Sequence, residues 1–181
     1  THITGGFTQD TGFIDATVTV DLLATGTLTT TVSTDTIYVG PGECFDNNSS
    51  VQLNAVNSTS NGDQIRVTID FAPSAGANAA ADVANVHFRI NDIERASGRN
   101  EQIVVSAINS GLVTQGIVYN LGSRLTESSG TVSSTVIAES SPTDVRHSAL
   151  FKIAGPVQQV EILFTEPDNG GAVWLSGIYF E

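Results

Sequence analysis

The chain has 181 residues, enough for one well-buried core or for a two-sheet sandwich with elaborate loops. Seven basic residues against 19 acidic ones give a formal net charge of -12 at pH 7, a surface that repels phosphate backbones and argues against a nucleic-acid partner. No stretch approaches the roughly 18 apolar residues of a membrane-spanning helix.

In chain order, Thr1–Asp10 is loosely patterned, with Ile3 and Phe7 as its large apolar groups. Phe13–Leu23 is the cleanest strand signal: Ile14, Ala16, Val18, Val20 and Leu22 alternate with Asp15, Thr17, Thr19 and Asp21, the period that sends successive side chains to opposite faces. After Ala24-Thr25-Gly26 the alternation resumes over Thr27–Ser33, so the two runs predict an N-terminal β-hairpin. Ile37–Val39 predicts a brief strand, stopped by Gly40-Pro41-Gly42, and Asp46-Asn47-Asn48 marks a turn. Val51, Leu53 and Ala55 alternate, and Asn57–Asp63 is a further turn. Ile65, Val67, Ile69 and Phe71 follow on one face of the next strand.

The stretch Val86–Ile108 holds two alternating runs, Val86–Asn91 and Ile103–Ala107, around a charged interval. It predicts two paired antiparallel strands joined by a long loop. Asn109-Ser110-Gly111 predicts a tight turn and Val113–Leu121 another strand. Gly122–Thr135 reads as a Ser-, Thr- and Gly-rich loop with short strand pieces. The last two strands, Val157–Thr165 and Ala172–Phe180, are split by the turn signal Glu166–Gly171. Seventeen Gly, abundant Thr, Ser, Val and Ile, and no sustained helical period complete the pattern. The reading is all-β: an antiparallel β-sandwich, jelly-roll-like after Val51. One domain spans 1–181, with 1–35 as an arm or hairpin used in assembly and 36–181 as the body.

The runs VHFRINDIE (Val86–Glu94), GPVQQVEILF (Gly155–Phe164) and WLSGIYFE (Trp174–Glu181) resemble jelly-roll β-sandwich domains of secreted bacterial surface and adhesin-type proteins. The resemblance covers residues 84–181 and implies a fold rather than an activity. The lack of any methionine sets the expectation of a processed, exported chain at the cell surface or outside it.

Catalytic signatures are absent from the sequence: there is no G-x-S-x-G, no H-E-x-x-H, and His2, His87 and His147 are scattered. The expectation is a non-enzyme without a required cofactor. Calcium is the alternative ligand, on Asp92, Glu94 and Asp168, because it takes carboxylates from irregular loops. Against it stands the reading of these acids as solvated loop groups beside Arg95 and Arg99. Cys44 cannot form an internal disulfide; it is read as a small buried apolar group or as an intersubunit link. Asn47, Asn48 and Asn57 fit the N-x-Ser/Thr acceptor pattern.

Two functional readings follow. The first is a structural subunit that partners itself in a homopolymeric fibre or surface layer. The strand Phe13, Ile14, Ala16, Val18, Val20 and Leu22 would complete a neighbour's sheet, or else lie at an edge of its own. The alternative is a carbohydrate-binding or adhesion module that contacts surface glycans through Trp174 and Tyr119, with Tyr38 and Tyr179 as further available aromatics and Trp174 otherwise a core residue.

Overall fold

Alternation along the chain decides the elements, and the turns decide which sheet each one enters. The computed structural model describes residues 7–10, 14–23, 27–56, 63–76, 82–96, 99–115, 117–166 and 171–181. The strands are β1 (Phe7–Asp10), β2 (Ile14–Leu22), β3 (Thr27–Ser33), β4 (Ser50–Val56), β5 (Asp63–Pro73), β6 (Val86–Asn91) and the two short pieces β7 (Arg95–Ala96) and β8 (Arg99–Asn100). Then come β9 (Gln102–Asn109), β10 (Leu112–Gln115), β11 (Ile117–Leu121), β12 (Leu125–Ser128), β13 (Thr131–Ser134), β14 (Ala149–Ile153), β15 (Gln159–Glu166) and β16 (Ala172–Ser176). One 3-10 turn, Val145–His147, precedes β14.

One antiparallel sheet runs β1-β2-β5-β15-β9-β13-β12, with β10 also on β9; the other runs β11-β14-β6-β16-β4-β3. From β5 onward most connections carry the chain from one sheet to the other. Late strands insert between early ones: β15 lies between β5 and β9, and β16 between β4 and β6. This is a jelly-roll sandwich. Strands β1 to β3 extend it, two on one sheet and one on the other. The core is the space between the layers, filled by Ile65, Val67 and Ile69 of β5, Phe88 and Ile90 of β6, Val105 of β9, Ile162 of β15 and Val173 of β16. Two tight hairpins carry positive φ at both central residues, Ser110-Gly111 and Ser129-Gly130, the twist that two-residue turns impose.

Several local expectations change. The two N-terminal runs do not form a hairpin: β2 pairs with β1 and β5, and β3 pairs with β4 in the opposite sheet. Two adjacent strands of one layer, or one strand in each layer, satisfy the same alternation, so alternation alone could not choose. β6 and β9 likewise fall in different sheets. Asp92 has φ 69°, and this bend turns the chain off β6 and across the rim. There Ile93 N donates to His147 O at 3.0 Å and Glu94 N to a Glu101 carboxylate oxygen at 2.8 Å. The predicted strand Val113–Leu121 divides into β10 and β11, one in each sheet. Ile37–Val39 is irregular, because Ile37 N bonds Asn47 O and Tyr38 N bonds Pro142 O in place of a ladder.

Candidate functional site

Because Val86, Phe88 and Ile90 of β6 face the core, His87, Arg89 and Asn91 point to the outer side of the six-stranded sheet. A charged residue there would normally reach water, yet Arg89 is only 1% exposed. Its cover is the segment 34–49, which leaves β3 at Ser33 and returns at Ser50, its register partner on β4. The segment acts as a strap across the outer face.

Arg89 is the strap's anchor. Its Nε donates to Glu43 Oε2 at 2.8 Å, its Nη2 meets Glu43 Oε1, and its Nη1 donates to Ser148 Oγ at 2.6 Å. The guanidinium also lies 4.9 Å from the Tyr38 ring centroid, a cation–π contact in a desolvated place. Burial alone would push the Glu43 carboxyl up; the bonds from Arg89 and from Gly40 N overcome this and hold it below its ordinary value.

The residues after Glu43 are thereby delivered to His87. Cys44 Sγ lies 3.6 Å from His87 Nε2, and the Phe45 ring meets the imidazole edge-on at 5.7 Å. His87 Nδ1 is 3.1 Å from Asn85 O, so Nδ1 donates there and Nε2 faces the thiol. From the other side Tyr179 stacks on the imidazole, 4.6 Å between centroids at 24°. It is held by backbone bonds in both directions with His87. The Tyr179 hydroxyl donates to Glu181 Oε1 at 3.2 Å, and Asn85 Nδ2 donates to Glu181 Oε2 at 2.7 Å. That carboxylate pushes the phenol's pKa above its ordinary value.

Between strap and C-terminal segment opens a cleft of about 140 Å³, walled by Phe45, Asp46 and Ser49 on one side and by Ile178 and Tyr179 on the other, with Cys44 beside them. It offers aromatic surface, a carboxylate and a hydroxyl on a rigidly bonded frame. A ring-sized amphipathic group suits it.

Apart from the available aromatic Tyr179, none of the expected site residues that the structure describes lines this cleft. Trp174 is 9% exposed. It belongs neither to the inner core nor to an open groove: Val173 and Leu175 take the core face, and the indole N–H donates to Asp35 Oδ2 of the strap at 3.3 Å. Tyr119 sits on β11, and its side chain lies outside the described residues, as do Phe13 and Asp168. Asp92 and Glu94 are buried rather than solvated. Asp92 Oδ1 accepts from Ser140 Oγ, and Glu94 Oε2 accepts from Ser140 N at 2.7 Å, so both carboxylates pin the 138–141 segment. Among the described residues no group of three His, Cys, Asp or Glu side chains is placed to hold a metal ion. Cys44 is exposed, not buried.

Ile14, Ala16, Val18, Val20 and Leu22 form β2, bonded along its whole length to β5 of its own chain, and Ala16 and Val18 enter its own core. The strand is second from the edge, beside β1. Phe45, Asp46 and His87 escaped notice in the sequence as site residues. The signal for Phe45 and Asp46 was a long irregular stretch between two alternating runs, a kind of loop that is often functional; His87 lies within an alternating run.

No protein-family model matches the chain, and no curated protein does. Among solved structures it is similar to one described as the structural basis for the promiscuous specificity of carbohydrate-binding modules from the β-sandwich superfamily. The identity is 11% and the TM-score 0.46, over 91% of this chain and 56% of that one. It is also similar to the enzymatically active domain of tailspike protein 4 from bacteriophage CBA120, with 13% identity and a TM-score of 0.40, over 90% of this chain and 19% of that one. The chain thus spans about half of the first structure's length and a fifth of the second's. No helix among the described residues is long and apolar enough to cross a membrane.

Proposed function

We propose that the chain is a non-catalytic carbohydrate-binding module whose site is the cleft between Phe45 and Tyr179. The observation that carries this reading is the cleft itself: an aromatic wall 38% exposed at Tyr179, backed by stacked His87 and rimmed by Asp46 and Ser49. The C–H face of a pyranose is apolar and slightly positive, and it complements the negative face of an aromatic ring. Hydroxyls at the ring's edge then find the Asp46 carboxylate and the Ser49 hydroxyl. The volume lies below the roughly 300–1,000 Å³ of drug-sized pockets, which fits a single sugar ring rather than a buried oligosaccharide. Tyr179 is fastened through its backbone, its hydroxyl and its ring, so little freedom is lost on binding.

The homopolymer reading gains no support from β2, which is spent on its own β5.

The test is retention on immobilised polysaccharides and titration with soluble oligosaccharides, for the native chain and for Tyr179→Ala. Binding by the native chain, weakened about tenfold or more in the variant, is expected. A native chain that retains no glycan, or a variant that binds as well, overturns the proposal.

A further inference from the structure

The groups around the cleft are unbalanced in charge. Asp46 forms part of its wall, and Glu181 stands at the Tyr179 hydroxyl. The cations on this face are placed otherwise. Arg89 is enclosed and spent on Glu43. Lys152 is the backbone register partner of His87 on β14, at the edge of β6 away from Tyr179. His87 itself is covered by the rings of Phe45 and Tyr179 and by Cys44. The chain as a whole carries a net charge of -12, which draws cations toward such a concavity.

We infer that the cleft selects sugars bearing a positively charged amine over neutral and anionic ones; this rests on the carbohydrate reading above. An ammonium on the sugar ring gains more from two groups here than a hydroxyl does. The Asp46 carboxylate, whose Oδ1 accepts from Asn48 N at 2.9 Å, has its other oxygen for a charge-assisted hydrogen bond. The aromatic faces of Tyr179 and Phe45 attract the positive charge through their quadrupoles. Glu181 adds to this by accepting a hydrogen bond from the phenol, which leaves more electron density on the ring. An anionic sugar meets the same carboxylates with the opposite sign. An N-acetylated sugar keeps its shape but loses the charge.

The experiment titrates the whole chain with three oligomers of equal length at a pH where the amine is charged: glucosamine, N-acetylglucosamine and glucose. The glucosamine oligomer is expected to bind about tenfold more tightly than the other two. That advantage should shrink with added salt and fall severalfold in Asp46→Asn, because the glucosamine oligomer loses more affinity there than the glucose oligomer does. Equal affinity for all three, a preference for a neutral oligomer, or a preference of undiminished size in Asp46→Asn overturns the inference and leaves the carbohydrate reading standing. Binding of none of these and of no other glycan removes both.

Discussion

Arg89 of β6 and Glu43 of the strap, separated by 46 residues, hold each other through two hydrogen bonds on a face that the sheet turns away from its core. The pair is the reason the strap lies where it does, and the strap carries Phe45 and Asp46 to the cleft. Glu43→Ala leaves a buried guanidinium without its counterion and is expected to cost about 3–5 kcal/mol, read from urea unfolding. Glycan affinity should fall with it. Because the Glu43 carboxyl is held below its ordinary value, its contribution is full above the usual carboxylate range and is lost as pH falls through the folded value. A variant of native stability at neutral pH would show that the strap is held by other contacts.

Trp174 and Asp35 make a second fastening of the same strap. Trp174→Phe removes the indole donor while keeping an aromatic body, and should cost about 1 kcal/mol. It should leave glycan titrations unchanged, in contrast to Tyr179→Ala. A glycan loss equal to that of Tyr179→Ala would return the platform to Trp174.

Removal of residues 1–23 takes away β2 and with it Ala16 and Val18 from the core, and bares the edge of β5. The shortened chain is expected to lose at least about 3 kcal/mol or to aggregate, as read by calorimetry and light scattering. A soluble truncated body with native stability would restore the view of this segment as a detachable assembly arm.

Asp144 receives the Arg146 guanidinium and the Arg146 backbone N–H, which draw its carboxyl from 3.8 down to about 2 despite partial burial. The folded value is depressed, so the stabilisation is present above pH 4 and lost as pH falls toward 2. Half of the Arg146 side chain is exposed, so solvent screens the pair and its effect on stability is small. Asp144→Asn keeps the capping oxygen and removes the charge. The difference from the native chain should be seen at neutral pH by thermal unfolding and should close below pH 4. A difference independent of pH would assign it to shape instead of charge.

The candidate site was only partly legible beforehand. Alternation along Val86–Asn91 puts His87 and Arg89 on the face opposite Val86, Phe88 and Ile90, but a face is a local property, whereas its cover comes from residues far away in the chain. Nothing near Arg89 in sequence announces Glu43. Likewise Trp174 presents the same alternation whether its outer face is open or strapped over. Tyr179 reaches His87 only because the chain's last residues add an isolated bridge beside β6.

What the sequence determined by itself was the class of fold. A period of two, β-branched residues and closely spaced turns force strands with one apolar face, and such strands bury that face only by stacking in layers. The turn at Ser110-Gly111 could be read too, because a two-residue hairpin demands residues that accept positive φ. Only the tertiary structure decided which sheet each strand joined, as the division of β6 from β9 and of β2 from β3 shows. Either sheet satisfies the same local pattern, and the choice falls to long-range packing and to single bends such as Asp92. The cleft was decided at that level as well. It exists where a strap, a buried ion pair and the chain's last residues converge on one strand, and that convergence is a property of contacts between distant residues, not of any stretch of sequence.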